Sequence, residues 1–383
     1  MSGPRLDRRT FLALAGTSLA AYGSFGQERD DHRNLARIVR EYRPENLESP
    51  LGTLEQPITP NPMHFVRSHF ATPYVDEKTW RLRIEGAVSR PAEFELASLK
   101  RMPVVERPVT LECAGNGRVF LTPTERGLQW EHGAVGTARW AGVPLSALLE
   151  RCGLKAEAVE VVLEGADVGE VRDPKSPGPI AFARSVPIQK ARSDEVILAY
   201  AMNGEPLPVA HGFPLRAVVA GWYGMASIKW LKRIVVTEQS FQGFYQTFDY
   251  SFWDRTGDLP TLRPITRMQV KAVVTRPVPG QSIAAGSVAE IRGAAWAGEN
   301  RVAKVEISTD GGKTWDSAEL ASKPERFLWT HWRYRWQTPT QSGQVKLLAR
   351  TTDDAGRTQP LERNPDFRSY MIHHAIPVEV MIR

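Results

Sequence analysis

Trp80, Leu82 and Ile84 alternate with Arg81, Arg83 and Glu85, the period-two pattern of a strand with one buried face. Upstream, residues 27 to about 60 are charged and then Pro-rich. That texture predicts a short helix around 31–41 and an extended arm that wraps a domain rather than building its core. Glu95–Leu99 reads as a short helix or turn, and Pro108–Leu111 as a strand that breaks into small residues. Leu145–Cys152 has the apolar spacing of an amphipathic helix and is closed by Gly153. Val159–Leu163 is a mostly apolar strand that Glu164–Asp167 ends, Asp being a common turn residue. Phe182–Val186 and Val196–Met202 read as strands, Asn203-Gly204 as a tight turn, and Ala217–Gly221 as a buried strand.

Near Pro264 the texture changes to short strands at close spacing: Met268–Val274, Ile283–Gly286, Ala289–Ala295, Val302–Ser308, Arg333–Trp336, Val345–Ala349 and Val378–Ile382. Asp310-Gly311-Gly312 supplies a hairpin turn between two of them. About seven such strands predict an immunoglobulin-like β-sandwich. The expected fold class is α+β: a mixed α/β domain followed by that sandwich. The expected boundaries are 1–26 for a leader, 27–264 for the first domain and 265–383 for the second.

A chain of 383 residues is long enough for two or three domains with sizeable cores. Its 42% hydrophobic and 24% charged residues describe an ordinary globular composition. The net charge of +6 is dispersed, which suits an anionic small substrate or an acidic redox partner and argues against nucleic acid. Cys113 and Cys152 cannot make a disulfide framework, and Cys152 sits at a helix end as a packing residue. Arg8-Arg9-Thr10-Phe11-Leu12 precedes an Ala-rich apolar run, which looks like a bacterial twin-arginine signal and implies a periplasmic protein exported already folded. No apolar run is long enough for a stable membrane span.

The candidate chemistry lies at Leu111-Glu112-Cys113-Ala114-Gly115-Asn116-Gly117-Arg118. A thiolate is a soft anionic ligand and a nucleophile, and nearby glycines let backbone approach something bulky. Arg118 can lower the thiol pKa or grip an oxyanion. Two further clusters are rich in cations and imidazoles. The first is Phe65-Val66-Arg67-Ser68-His69. The second runs from His211-Gly212-Phe213-Pro214-Leu215-Arg216 to Ser227-Ile228-Lys229-Trp230-Leu231. One His, one Arg and one Lys at strand and loop ends suit a dianionic phosphate, though a solvated basic face has the same composition.

The cysteine loop, the Phe-x-Arg-x-His string and the His-Gly-x-Pro-x-Arg…Lys-Trp-Leu string together resemble the sulfite oxidase family of molybdopterin enzymes. The resemblance covers nearly all of the chain beyond the leader. It implies a molybdenum held by pterin dithiolene sulfurs and the Cys113 thiolate. It implies that Phe65, Val66, Arg67, Ser68, His69, Asp167, His211, Arg216, Ser227, Ile228 and Lys229 contact molybdopterin. Ser68 stands where the family usually has Asn. Arg67, Arg118, Arg368 and Tyr250 are implied for the substrate anion, with Trp130 walling the pocket and Trp140 a core residue. The second domain resembles the family's dimerisation domain, so a homodimer is implied. With no Cys-x-x-Cys-His haem string in the chain, electrons are expected to go to an external acceptor such as cytochrome c. The implied reaction is oxidation of sulfite to sulfate. Sulfane-sulfur dehydrogenation, nitrate reduction, turnover of an organic oxide and a non-enzymatic binding module are the alternatives.

Overall fold

The computed structural model describes residues 37–383. The expected leader, the twin-arginine pair and most of the expected 31–41 helix lie outside the described residues. In chain order the first part forms β1 (Ile38–Glu41), β2 (Asn46–Glu48), β3 (Leu82–Gly86), β4 (Ala92–Phe94), α1 (Leu96–Leu99), β5 (Val105–Glu112), β6 (Val135–Pro144) and α2 (Leu145–Cys152). Then come β7 (Glu160–Gly169), β8 (Ile180–Pro187), α3 (Ile188–Ala191), β9 (Val196–Met202), β10 (Glu205–Pro206), β11 (Arg216–Val219), β12 (Leu231–Thr237), β13 (Ser251–Asp254) and β14 (Thr261–Pro264).

Two five-stranded sheets carry this part. One has the order β10-β9-β6-β5, with β11 also on β9; the other has the order β4-β3-β12-β7-β8. Leu82 and Ile84 on β3 and Val161 and Leu163 on β7 are fully buried, as period-two alternation requires. The side chains of α2 that face inward, Leu145, Leu148, Leu149 and Cys152, close one side of that core. Gly153 stops α2 at φ 71, a conformation that glycine adopts without steric cost. Asn203 and Gly204 both take positive φ in the tight turn from β9 to β10.

Three expectations change. Residues 38–41 form a strand, not a helix, paired with β2. Asn46 closes that hairpin, its amide donating to Glu41 and to the Pro44 carbonyl. The Pro-rich arm also enters the core: Leu54 is fully buried with Val135, Trp296 and Trp329. And the strand expected to end at Asp167 continues to Gly169, with an irregular register between Glu164 and Val168. Asp167 therefore sits in a bulge, which re-aims its side chain. Gly165 allows this, because a Cβ there would run into the Asp167 carboxylate and the Lys229 carbonyl.

The rest forms β15 (Lys271–Arg276), β16 (Ser282–Ile283), β17 (Val288–Trp296), β18 (Val302–Ser308), β19 (Asp316–Ser317), β20 (Glu319–Leu320), β21 (Thr330–Gln337), β22 (Gly343–Asp353) and β23 (Val378–Ile382). They make a four-stranded sheet β15-β17-β21-β20 and a five-stranded sheet β16-β23-β22-β18-β19. Ala272, Ile291 and Trp332 of the first meet Val305, Ile307, Leu347 and Val380 of the second in one apolar core. The Asp310 carboxylate accepts from the Lys313 and Thr314 amides, holding the Gly311-Gly312 turn. The protein is sheet-rich with few helices, the longest of the described helices having eight residues. No described helix is long and apolar enough to cross a membrane.

Candidate functional site

Cys113 stands at the end of β5, where the ladder to β6 gives way to a tight loop. Its N–H donates to the Ala134 carbonyl at 2.8 Å, and its carbonyl accepts from the Asn116 N–H at 2.9 Å. Gly117 takes φ 96 at the turn, a left-handed conformation suited to glycine. The thiol is 7% exposed and faces a cavity with about 670 Å³ of atom-free space, its mouth included. Burial pushes the Cys113 thiol up, and the Arg67 and Arg118 guanidiniums pull it back.

Most of the residues singled out in sequence line this cavity. Phe65, Val66, Arg67, Ser68 and His69 come from one extended segment, anchored by paired hydrogen bonds between Val66 and Leu47. Asp167 arrives from the β7 bulge, His211 and Arg216 from the entry to β11, Ser227 and Lys229 from the loop before β12, and Tyr250 from the start of β13. His64, Phe182 and Met225 also line it, and sequence reasoning had passed them over. His64 stacks on Phe65 and meets His211 edge-on at 5.3 Å; its place directly before the Phe65–His69 string is the signal that could have found it.

The cavity is a cage of cations with too few anions. Arg216 donates to the His211 and Ser227 carbonyls at 3.0 Å, and its guanidinium stacks over Trp140 at 4.7 Å. All these partners are neutral, and burial brings Arg216 down to about 9. Trp140 is therefore core and also a platform for a site cation. Lys229 donates to the Ser68 hydroxyl at 2.8 Å and the Ala210 carbonyl at 2.9 Å. Burial, with Arg216 adding repulsion, brings Lys229 down to about 7. Ser68 thus orients Lys229. Trp230, held at φ 48, lies 4.2 Å under the Lys229 ammonium. Asp167 is the one carboxylate in the lining, and burial raises it to about 6. Burial likewise holds His69 and His211 well below the usual imidazole range and His64 at about 4. His69 shares a 2.7 Å hydrogen bond with the Tyr250 hydroxyl and stacks on Phe182. Arg67 is positioned by Asn46, whose Oδ1 accepts from the Arg67 guanidinium at 3.3 Å and from the Ser68 N–H at 2.9 Å.

Four of the sequence candidates lie outside the lining. Arg118 is buried, donating to the Ser369 carbonyl at 3.0 Å and the Leu128 carbonyl at 2.8 Å, with Tyr370 over its guanidinium at 5.1 Å. Its charge still acts on the Cys113 thiol, which it helps to pull down. Its guanidinium packs closely against Gly115 and Gly127, which leave no room there for a Cβ. Arg368 donates to the Phe248 carbonyl at 3.0 Å and the Ser251 hydroxyl at 2.7 Å, so it grips the backbone on both sides of Tyr250. Trp130 is fully buried beside Phe65 and Cys113 in an apolar cluster. Ile228 is 1% exposed and packs in the main core, its carbonyl taken by the Ala217 N–H.

Among the described residues no group of three or more His, Cys, Asp or Glu could hold a metal ion. A metal at Cys113 must therefore arrive with most of its ligands on an organic carrier. Cations brought low by burial, outnumbering the one carboxylate beside them, suit an anionic carrier. The donor set thus fits a cofactor bearing phosphate and a soft metal.

Fold and site define an oxidoreductase scaffold built to hold molybdopterin. Residues 69–245 match the family description "Oxidoreductase molybdopterin binding domain", and residues 263–381 match "Mo-co oxidoreductase dimerisation domain". Sulfite oxidase of Gallus gallus is 34% identical over 352 residues, which cover 86% of this chain and 74% of that protein. The mitochondrial sulfite oxidase of Rattus norvegicus is 35% identical over 350 residues. The crystal structure of the sulfane dehydrogenase SoxCD from Paracoccus pantotrophus matches with a TM-score of 0.77 at 27% identity, covering 92% of both chains. The chain belongs to the sulfite oxidase family of molybdenum oxidoreductases. It spans about three fifths of the length of its mammalian relatives.

Proposed function

We propose that this protein oxidises sulfite to sulfate and passes the electrons to an external acceptor such as cytochrome c. The observation that carries the reading is one cavity holding a buried thiol, the Arg67 cation and the His69–Tyr250 pair. When bound, molybdenum on its pterin dithiolene supplies the two-electron redox couple and the oxygen transfer. The chain's own residues supply binding, orientation and charge. The Cys113 thiol loses its proton to act as ligand, and Arg67 nearby offsets the resulting charge. Ser68, His211, Arg216, Ser227 and Lys229 hold the anionic end of the carrier.

A sulfite ion has little apolar surface, so its binding rests on charge-assisted hydrogen bonds. Arg67 is a cavity-lining cation oriented by Asn46. With His69 held neutral and the Tyr250 phenol held protonated by burial, the pair carries one shared hydrogen at 2.7 Å and can turn a donor toward a substrate oxygen. Arg118 and Arg368 act from behind, the first on the cysteine loop and the second on the Tyr250 segment.

The second reading is a sulfane-sulfur dehydrogenase, favoured by the 92% coverage of both chains in the comparison with SoxCD. The wider architecture we read as an exported periplasmic homodimer. Its leader is 1–26, its catalytic domain 27–264, and its pairing domain an immunoglobulin-like sandwich over 265–383. Anaerobic turnover of sulfite by molybdenum-loaded protein, with cytochrome c and with ferricyanide, tests the function. Turnover with both supports it. Turnover of a persulfide but not of sulfite moves the assignment to the second reading.

A further inference from the structure

The residue before Cys113 is a buried carboxylate. Glu112 is 1% exposed, and three side chains donate to it: Lys271 Nζ at 3.0 Å, Asn116 Nδ2 at 3.0 Å and Trp296 Nε1 at 2.9 Å. Lys271, itself 2% exposed, also donates to the Asn116 carbonyl at 2.9 Å. Asn116 also ties the loop to the residue before β6, its Oδ1 accepting from the Ala134 N–H. Lys271 and Trp296 are cross-strand partners on β15 and β17, so the ladder of the second half sets their spacing. Nothing in the proposed reaction uses any of these groups.

A buried carboxylate with its charge paired and three donors aimed at it is fixed in place. It is also one residue from the thiol. The same loop is gripped again by the second half, where the Met371 N–H donates to the Ala114 carbonyl at 2.7 Å. Ile372 covers Gly117, so a Cβ there would come within 3.2 Å of it. The Lys271, Trp296, Met371 and Ile372 contacts to the loop all come from beyond residue 265, while Ala134 holds it from the first half. We infer that Lys271 and Trp296 are positioning residues for the cysteine loop, so that the second half of the chain is part of the metal site's scaffold. The inference rests on the proposed ligand role of Cys113, but its readout does not need that role.

Hydrogen–deuterium exchange of the 113–118 segment in the full chain tests it, with molybdenum content per chain as the companion measurement. Trp296→Phe keeps the ring and removes one donor to a buried charge. It should speed exchange of the segment about tenfold and lower molybdenum content. Lys271→Met should do more, and Glu112→Gln with Lys271→Met should bring protection back toward the unsubstituted level, because no unpaired charge remains. Ile307→Ala, in the apolar core of the second half, should lower Tm and leave the segment's exchange unchanged. Exchange in Trp296→Phe within about twofold of the unsubstituted protein, below the loss expected for a charged hydrogen bond, overturns the inference whether or not Lys271→Met folds. Failure to oxidise sulfite would overturn the proposed function and leave this result standing.

Discussion

Lys229 and Lys271 are both buried lysines, and they serve opposite ends. Lys271 meets a buried carboxylate at 3.0 Å inside a network that joins two parts of the chain. Lys229 meets a hydroxyl and a carbonyl, faces Arg67 and Arg216, and is brought down to about 7 by burial. A buried cation paired with an anion of its own chain is scaffold. Lys229 is hydrogen-bonded to neutral groups only and shares one carboxylate, Asp167, with the other cavity cations, so the cavity keeps an excess of positive charge for an anion to meet.

The largest effect expected at the site is on Cys113, which the cation cage surrounds. Cys113→Ser should keep the fold and abolish sulfite oxidation, because a hydroxyl is a harder and poorer donor than a thiolate. Normal turnover by this variant would remove Cys113 as ligand. The two lysines then separate by sign. Lys271→Met strands the Glu112 carboxylate and should cost about 3–5 kcal/mol in denaturant unfolding. Lys229→Met removes a cation whose hydrogen-bond partners are neutral and whose burial outweighs the pull of Asp167. It should raise the stability of cofactor-free protein by about 1 kcal/mol or more, while molybdenum content falls. Two losses of equal size would erase the distinction.

A smaller effect concerns pH. The folded pKa of Lys229 is about 7, below the ordinary lysine value, so between those points the unfolded chain holds more protons. Its contribution to stability therefore rises as pH climbs from about 7 toward 10. Asp167, raised to about 6, works the other way: stability falls as pH climbs from about 4 to 6. The Tm of cofactor-free protein should increase between pH 7 and pH 9, and Lys229→Met should flatten that slope. A slope unchanged by the substitution would mean that other groups carry it. The smallest effect is at Tyr250, a buried residue of the cavity lining. Tyr250→Phe removes one hydrogen bond and should lower kcat/KM for sulfite about tenfold, measured at saturating acceptor.

Much of the site was legible because its motifs are short and contiguous. Phe65–His69, Cys113, His211–Arg216 and Ser227–Lys229 are strings in which neighbouring residues act together, and the strand ends bring those strings to one cavity. Other parts were legible only as residue types. Arg118 and Arg368 stand out in sequence as cations, but a motif does not say which way a long side chain turns. Here the Ser369 carbonyl holds one and the backbone around Tyr250 holds the other. Asp167 looked like a turn residue because a bulge and a turn share their composition.

The chain's own pattern determined the alternating strands, the α2 helix with its Gly153 stop, the change of texture near Pro264 and the identity of the thiol. Local propensity and short motifs suffice for these, since each is decided by residues a few positions apart. Tertiary structure alone decided that Asn46, out of a Pro-rich arm, orients Arg67 and Ser68. It alone decided that Lys271 and Trp296 reach a carboxylate more than 150 positions away. The reason is the balance of burial. A charged or amide side chain is indifferent to its place in the sequence, but once out of water it must find a partner, and only the packed chain decides which one lies within 3 Å.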